Sequence, residues 1–369
     1  MTKTFHGISG TAGLSLVLSP VLAILVTEHG LSFFALVFIS SAVSLFPLTA
    51  ALRFIPLPLW ALTCVLSALP TAFLSPDHPA GALLLGIGCA GILLILPPYL
   101  AADRFFPAKS FPLALSWGGS FFLLPFWQLA FSALSTGKIL LLMLVPAASL
   151  LFFQKEPPHE EDRPANPLTA GRTAPFLRTC FFAGSLAGSL GLAASLLLMS
   201  ESQLGIISFS GTPLFLTELI LPLAYWLILT ASPILASFVT ERRGVFTGCV
   251  RLIFLCEMSI LCIGILDSPA AAAAGQAALL LATGSLTVVL PVLTFYLYGR
   301  SAFAESCSRV LFSLPLGLLI SLPYIHEAGS GSISPTEPAV FLLLLLSASF
   351  FCIFFAWKHR FVILKNERI

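Results

Sequence analysis

The sequence predicts an all-α integral membrane protein of twelve transmembrane helices, arranged as two six-helix bundles. Three observations lead to that fold class. The first is composition: 58% of the 369 residues are hydrophobic and only 9% are charged, with a mean hydropathy of +1.01. A soluble protein carries roughly 25% charged residues, so lipid must be the solvent for most of this chain. The second is a count of apolar runs of spanning length, which reaches six on each side of one polar stretch, Gln154–Pro175 (QKEPPHEEDRPANPLTAGRTAP). The third is the distribution of basic residues over the loops that this count creates.

A hydrocarbon core of about 30 Å needs roughly 20 helical residues. Runs of that kind before the polar stretch are Ile8–Val26, Leu31–Leu52, Leu57–Ser75, Ala80–Leu100, Phe111–Phe131 and Ile139–Phe153. After it come Phe176–Ser200, Thr212–Val239, Thr247–Leu266, Ala270–Tyr298, Val310–Ile325 and Ala339–Trp357. The first run exceeds the apolar core of a signal peptide, and no small-x-small cleavage site closes it. It reads as a retained first span. The predicted organisation is therefore an N-terminal bundle over 1–153, a linker over 154–175 and a C-terminal bundle over 176–369.

With twelve spans and the N-terminus in the cytoplasm, all of the 18 Lys and Arg residues except Lys138 fall on the cytoplasmic side. Basic residues near span ends resist translocation. A miscounted span would flip the parity of every later loop and scramble this division. Both termini and the 154–175 linker are thus expected in the cytoplasm, with the chain in the inner (plasma) membrane. The linker is rich in proline and carries the acidic run Glu160-Glu161-Asp162, a composition that favours a flexible connection over a folded domain.

Prolines recur inside the spans, among them Pro47, Pro125, Pro233, Pro291 and Pro323. Each removes a helix hydrogen bond and favours a kink, which neighbouring helices tolerate in a membrane. Gly184 and Gly188 form a GxxxG with Gly191 one turn on, and Gly86, Gly88 and Gly91 crowd the fourth span. Small residues at these spacings let helix backbones approach closely. The eight cysteines fall mostly in apolar runs with no CxxC pair, so neither a zinc site nor a disulfide framework is indicated. They read as small buried apolar residues.

Two loops carry a resemblance. After the fourth span comes Ala102-Asp103-Arg104-Phe105-Phe106-Pro107-Ala108-Lys109, then Ala114-Leu115-Ser116-Trp117-Gly118. After the eighth comes Ser237-Phe238-Val239-Thr240-Glu241-Arg242-Arg243-Gly244. The first resembles the junction of the fourth and fifth helices in the major facilitator superfamily. The second is similar to that family's GxxxDRxG loop, with Ser for the first Gly and Glu for Asp. The Arg-Arg pair that follows in the family is replaced by Val245 and Phe246, and the matching loop of the first half, Leu48 to Ile55, keeps only Arg53. The resemblance implies two bundles related by a pseudo-two-fold axis and rocking about a midplane cavity. It also implies gating loops at Asp103, Arg104, Glu241, Arg242 and Arg243, where acid–base pairing can latch one conformation. Ordinary positive-inside anchoring is the competing reading of these residues.

Charges inside the membrane are costly and often functional. Glu218 lies six residues from the outer end of its span, about 9 Å deep at 1.5 Å per residue. Glu257 lies nine residues from Gly248, roughly 13 Å deep. A carboxyl group in that setting can exchange a proton with water, as a proton-coupled carrier requires. In the resembling family the eighth helix flanks the cavity and the ninth is peripheral. That favours Glu218 as the exchanger and Glu257 as a residue that holds helices together. Gln128 and Gln276 are the uncharged polar candidates, and Trp117, Tyr225 and Trp226 are aromatic candidates for stacking on a substrate. Aromatic residues also belong to membrane interfaces and packing.

Absences narrow the function. A net charge of +2 offers no footprint for nucleic acid. No Walker motif, metal cluster or nucleophile constellation is visible, so no cofactor, no metal and no enzymatic activity are expected. No basic residue sits at mid-membrane, since Arg178 and Arg251 can snorkel to the cytoplasmic face. A carrier of phosphates would be expected to present a cationic site. The expectation is a monomeric secondary transporter whose partners are the bilayer, protons and a lipophilic, neutral or cationic small molecule, with efflux as its direction. The alternative is a transporter-shaped sensor or assembly partner that moves nothing.

Overall fold

The structure is a computed structural model. It describes residues 15–25, 31–51, 57–72, 78–102, 110–133, 138–139, 142, 173–203, 220–266, 268–298, 303–329 and 336–366. Every regular element among the described residues is a helix, with no strand. This is the expected solution in lipid, where backbone groups find no water and must bond within their own segment. The helices are α1 (Ser15–Leu25), α2 (Leu31–Ala51), α3 (Leu57–Ala68), α4 (Pro79–Ala102), α5 (Ser110–Ala133), α6 (Thr173–Gln203), α7 (Leu221–Arg243), α8 (Val245–Gly264), α9 (Pro269–Tyr298), α10 (Phe303–Leu311), α11 (Ser313–Gly329) and α12 (Thr336–Asn366). Five helices among the described residues are long and apolar enough to cross a membrane: α5, α7, α8, α9 and α12. The sixth predicted run lies outside the described residues except for Ile139 and Leu142, as do residues 212–219 of the eighth and residues 154–172 of the linker.

The elements depart from the predicted runs in three places, each with a local cause. The eleventh run, predicted to begin at Val310, starts earlier as α10 and breaks at Phe312 before α11 resumes. Pro315 explains the break, because it lacks the N–H that would bond the Leu311 carbonyl and its ring crowds that oxygen. The third run ends in a short 3-10 turn, Leu69–Ala72, that contains Pro70. The last helix continues past Trp357 to Asn366, giving 31 residues. At 1.5 Å per residue that is about 46 Å, so its Lys358-His359-Arg360 end projects beyond a 30 Å hydrocarbon core.

Contacts divide the chain into two compact units. The first comprises Met1–Pro167 with Thr294–Phe312, and the second Leu168–Leu293 with Ser313–Ile369. In the first, α4 packs against α2 and α3, and α10 packs on α4 and α2. Small residues set these approaches. A Cβ on Gly86 would run into Ser40 and the Val37 carbonyl of α2, and one on Gly88 would meet the Cys64 carbonyl of α3 at 2.9 Å. The Trp60 indole of α3 donates to the Gly91 carbonyl of α4 at 3.0 Å. Helices α1 and α5 are joined by hydroxyls: Ser15 Oγ donates to the Ser116 carbonyl at 2.9 Å, and Trp127 Nε1 donates to Ser19 Oγ at 2.8 Å. Such interhelical bonds average about 0.6 kcal/mol in membrane proteins, so they set register more than they supply stability.

In the second unit, α6 packs against α11, α12 and α8, and α8 packs against α12 and α7. The α6–α11 seam is where the GxxxG residues go. Gly184, Gly188 and Gly191 face Ser313, Gly317 and Ser321. A Cβ on Gly317 would run into the Gly184 carbonyl oxygen, and one on Gly188 would lie 3.0 Å from the Gly317 carbonyl oxygen. No side chain separates these backbones. On α6, the Arg178 guanidinium lies 5.6 Å from the centre of the Phe355 ring of α12.

Candidate functional site

Within the second unit, α7 and α9 carry six of the candidate residues, Tyr225, Trp226, Glu241, Arg242, Arg243 and Gln276, and cross closely at mid-length. A Cβ built on Gly284 of α9 would lie 2.9 Å from the Ser232 Cβ and 3.1 Å from the Pro233 Cδ of α7. Only glycine permits that approach. The Ser232 hydroxyl turns back to its own helix, donating to the Leu229 carbonyl at 2.8 Å. No polar group is stranded at the contact.

Toward the N-terminal ends of both helices, Tyr225 donates its hydroxyl to the Ala273 carbonyl of α9 at 3.3 Å. Gln276 follows Ala273 by three residues and so shares its side of the helix. The pair brings Tyr225 and Gln276 to one level, both half-buried. Trp226 is also half-buried, and its carbonyl accepts the Thr230 hydroxyl at 2.8 Å. Glu218 lies outside the described residues.

Toward the C-terminal ends, α7, α8 and α9 enclose an open groove of about 350 Å³, whose walls include Val239, Leu255, Leu281 and Val289. Arg251 is its one charged lining residue. Helix α7 ends in Glu241, Arg242 and Arg243, all exposed, with the Arg242 guanidinium 4.2 Å above the Phe238 ring. The chain reverses at Gly244 alone, with φ 88° and ψ 156°, a region essentially closed to other residues. The Gly244 N–H bonds the Thr240 carbonyl at 3.1 Å, and the Gly244 carbonyl accepts the Gly248 N–H at 3.2 Å. Asp103 and Arg104 lie outside the described residues.

The remaining candidates are spread over other faces. On α5, Trp117 and Gln128 are eleven residues apart, which puts them on one stripe about 16 Å apart. Trp117 is 6% exposed and packs 5.9 Å from the Phe121 ring. Its Nε1 is buried and has no hydrogen-bond partner among the described residues. Gln128 is half-buried, next to the Trp127 that binds Ser19. Glu257 is half-buried on α8, one position from the buried Cys256, and does not line the groove.

No family profile matches the sequence, and no curated protein matches it. Solved structures match it over nearly its whole length. The human organic anion transporter MFSD10 (TETRAN) superposes with a TM-score of 0.68 at 14% identity, covering 94% of this chain and 99% of that one. FucP, a major facilitator superfamily transporter crystallised in the outward conformation, gives 0.62 at 13% identity, covering 97% and 98%. The fold is that of the major facilitator superfamily transporters.

The superfamily fold agrees with the resemblance drawn from the loops around Asp103 and Glu241, although so few residues are shared that sequence comparison alone finds nothing. Two features of the α7–α9 pair were not picked out from the sequence: the Ser232–Gly284 crossing and the groove below it. Their signals are slight. Ser232-Pro233 and Gly284 are small or kinking residues inside apolar runs, and Arg251 is a single cation one turn beyond Thr247.

Proposed function

We propose that this chain is a secondary transporter that works by alternating access and exports a lipophilic, neutral or cationic small molecule. One observation supports the reading above others: the match to transporter structures runs end to end on both chains. The chemistry of the helices supports the substrate class. Every buried polar residue among the described residues is Ser or Thr, and Gln128, Gln276, Tyr225 and Glu257 are only half-buried. None of these groups is a cation that could clamp a phosphate or carboxylate. The unpaired Trp117 indole is a donor for a neutral acceptor and stacks readily on an aromatic ring. Glu218 is the proposed proton exchanger, with the plasma membrane as the site of action and the monomer as the working unit. MFSD10 is described as an organic anion transporter, so an anionic solute is the contrasting case.

The test is flux in proteoliposomes under an imposed pH gradient, with ethidium and rhodamine 6G as cationic probes and fluorescein as the anionic one. The proposal expects movement of a cationic probe, coupled to proton movement, and loss of the coupling in Glu218→Gln. Fluorescein movement without cation movement overturns the substrate class. Unchanged pH dependence in Glu218→Gln overturns the assignment of the exchanger. A second reading, a transporter-shaped sensor, is favoured by the first-half loop Leu48–Ile55 retaining only Arg53. It expects probe binding with a conformational change and no flux of any probe.

A further inference from the structure

The α7–α8–α9 groove is open, almost wholly apolar and carries a single cation. Its volume of about 350 Å³ falls in the 300–1,000 Å³ range of small-molecule sites. Its α8 wall runs from Gly248 to Leu255 and its α9 wall from Leu281 to Val289, so it extends for roughly 10–12 Å along the helices. Arg251 lies seven residues from the Gly244 turn, about 10 Å along α8, below the helix ends that carry Arg242 and Arg243. It is exposed and makes no hydrogen bond or ion pair with any described residue. By contrast, Arg178 and Arg242 each lie over an aromatic ring. On the rim, Leu235 and Phe254 are exposed by more than half.

We propose that this groove holds one acyl chain of an anionic phospholipid, with the lipid phosphate bound by the Arg251 guanidinium. The proposal rests on the orientation in which the Arg242-Arg243-Gly244 turn faces the cytoplasm. Three properties select this occupant. The walls are apolar and the rim opens sideways through Leu235 and Phe254, which suits a hydrocarbon chain arriving from the bilayer. The one charge is a guanidinium, whose planar fork matches two phosphate oxygens. Its position, one to two turns below the helix ends, is where a flexible arginine stem reaches the phosphate level of the inner leaflet. Basic pockets between helices on that side of a membrane suit anionic headgroups. Zwitterionic lipid offers the same phosphate but brings a cation with it, so the anionic lipid is preferred.

The experiment is native mass spectrometry of the full chain in neutral detergent, titrated with phosphatidylglycerol and phosphatidylcholine of identical acyl chains. Wild-type protein is expected to retain one phosphatidylglycerol in preference to phosphatidylcholine. In Arg251→Gln that preference falls about tenfold, equivalent to about 1.4 kcal/mol, while Arg251→Lys keeps part of it and Arg242→Gln keeps all of it. Val239→Trp, which fills the groove and leaves Arg251 in place, is expected to weaken both lipids. Three results overturn the proposal: undiminished preference in Arg251→Gln, unchanged binding in Val239→Trp, or displacement by free glycerol 3-phosphate at the lipid's own affinity. Should Arg251→Gln fail to fold, the Arg251→Lys and Val239→Trp arms still decide.

Discussion

Replacing Gly317 with alanine tests whether the α6–α11 seam is held by direct backbone contact. The added Cβ would overlap the Gly184 carbonyl oxygen, its nearest neighbour, and lie 2.9 Å from the Gly184 carbonyl carbon and 3.0 Å from its Cα. Carbon atoms prefer about 3.5–4.0 Å and the carbonyl oxygen is closer still, so the two backbones must part by roughly 1 Å. A gap of that size forfeits about a quarter to a half of each contact's attraction along the seam. Overpacking of this kind costs about 1–3 kcal/mol. Alanine's better helix propensity returns up to about 1 kcal/mol, and less in a membrane, where the helix is already formed. The net loss is about 1–2 kcal/mol. For a unit of this size, each kcal/mol lowers the melting temperature by roughly 2–4 °C. Gly184→Ala supplies the internal control, since its Cβ would meet only the Ser313 carbonyl oxygen at 3.3 Å and Ser313 Cβ at 3.7 Å. It should change stability by less than about 0.5 kcal/mol. Thermal unfolding can be followed with a thiol-reactive fluorophore, because Cys249, Cys256 and Cys262 are free and buried in the same unit. If Gly317→Ala melts with the wild type, or if Gly184→Ala loses as much, the seam is not limited by the contact described.

Gly244→Ala should destabilise by about 1–3 kcal/mol through backbone strain alone, because nothing lies within 4 Å of the added Cβ. Gly244→Asn should not rescue it, since asparagine tolerates the left-handed helical region and not ψ near 156°. Equal melting of wild type and Gly244→Ala would contradict the assigned turn. Trp60→Phe removes the donor to the Gly91 carbonyl and should cost no more than about 1.7 kcal/mol; a larger drop in thermal unfolding would mean that the indole ring's packing dominates. Tyr225→Phe removes a 3.3 Å bond and should shift the melting point by less than the Trp60 change. The reverse order would assign the tyrosine a larger structural part than that bond provides.

The fold was readable because its main determinants are one-dimensional. Apolar run length gives helices without reference to any contact. The GxxxG of Gly184 and Gly188 likewise announced a close approach. Its partner, Gly317 with Ser313 and Ser321, was not readable, because small residues recur through many spans and the pairing is set in three dimensions. The break at Phe312 follows from Pro315, but other prolines such as Pro125 and Pro291 sit inside unbroken helices. Sequence alone does not say which proline will break its helix. The Tyr225–Gln276 level could not be foreseen either, since it depends on the axial offset of α7 against α9 that Ser232 and Gly284 fix.

The abundance of serine and threonine inside the spans has a physical reading that bears on the substrate. These hydroxyls mostly turn back on their own helix. Thr63 bonds the Trp60 carbonyl, Ser67 the Cys64 carbonyl, Ser189 the Ser185 carbonyl and Thr283 the Leu279 carbonyl. A hydroxyl satisfied in this way presents little more than a methyl-sized surface to its neighbours, so its polarity is not offered to a solute. A helix can therefore contain many serines and still line an apolar space. What is offered is the small set of groups without such a partner among the described residues: Trp117 Nε1, Arg178 Nη1, Ser259 Oγ and Ser349 Oγ, and Arg251 in its groove. The first is a lone donor on an aromatic plane, and the last is a cation near the helix ends. An aromatic, weakly polar solute matches the indole, and an anionic headgroup matches the guanidinium. The two chemistries lie in different units of the chain, Trp117 in the first and Arg251 in the second, so substitution at Arg251 should alter lipid retention without altering the solute preference proposed for Trp117.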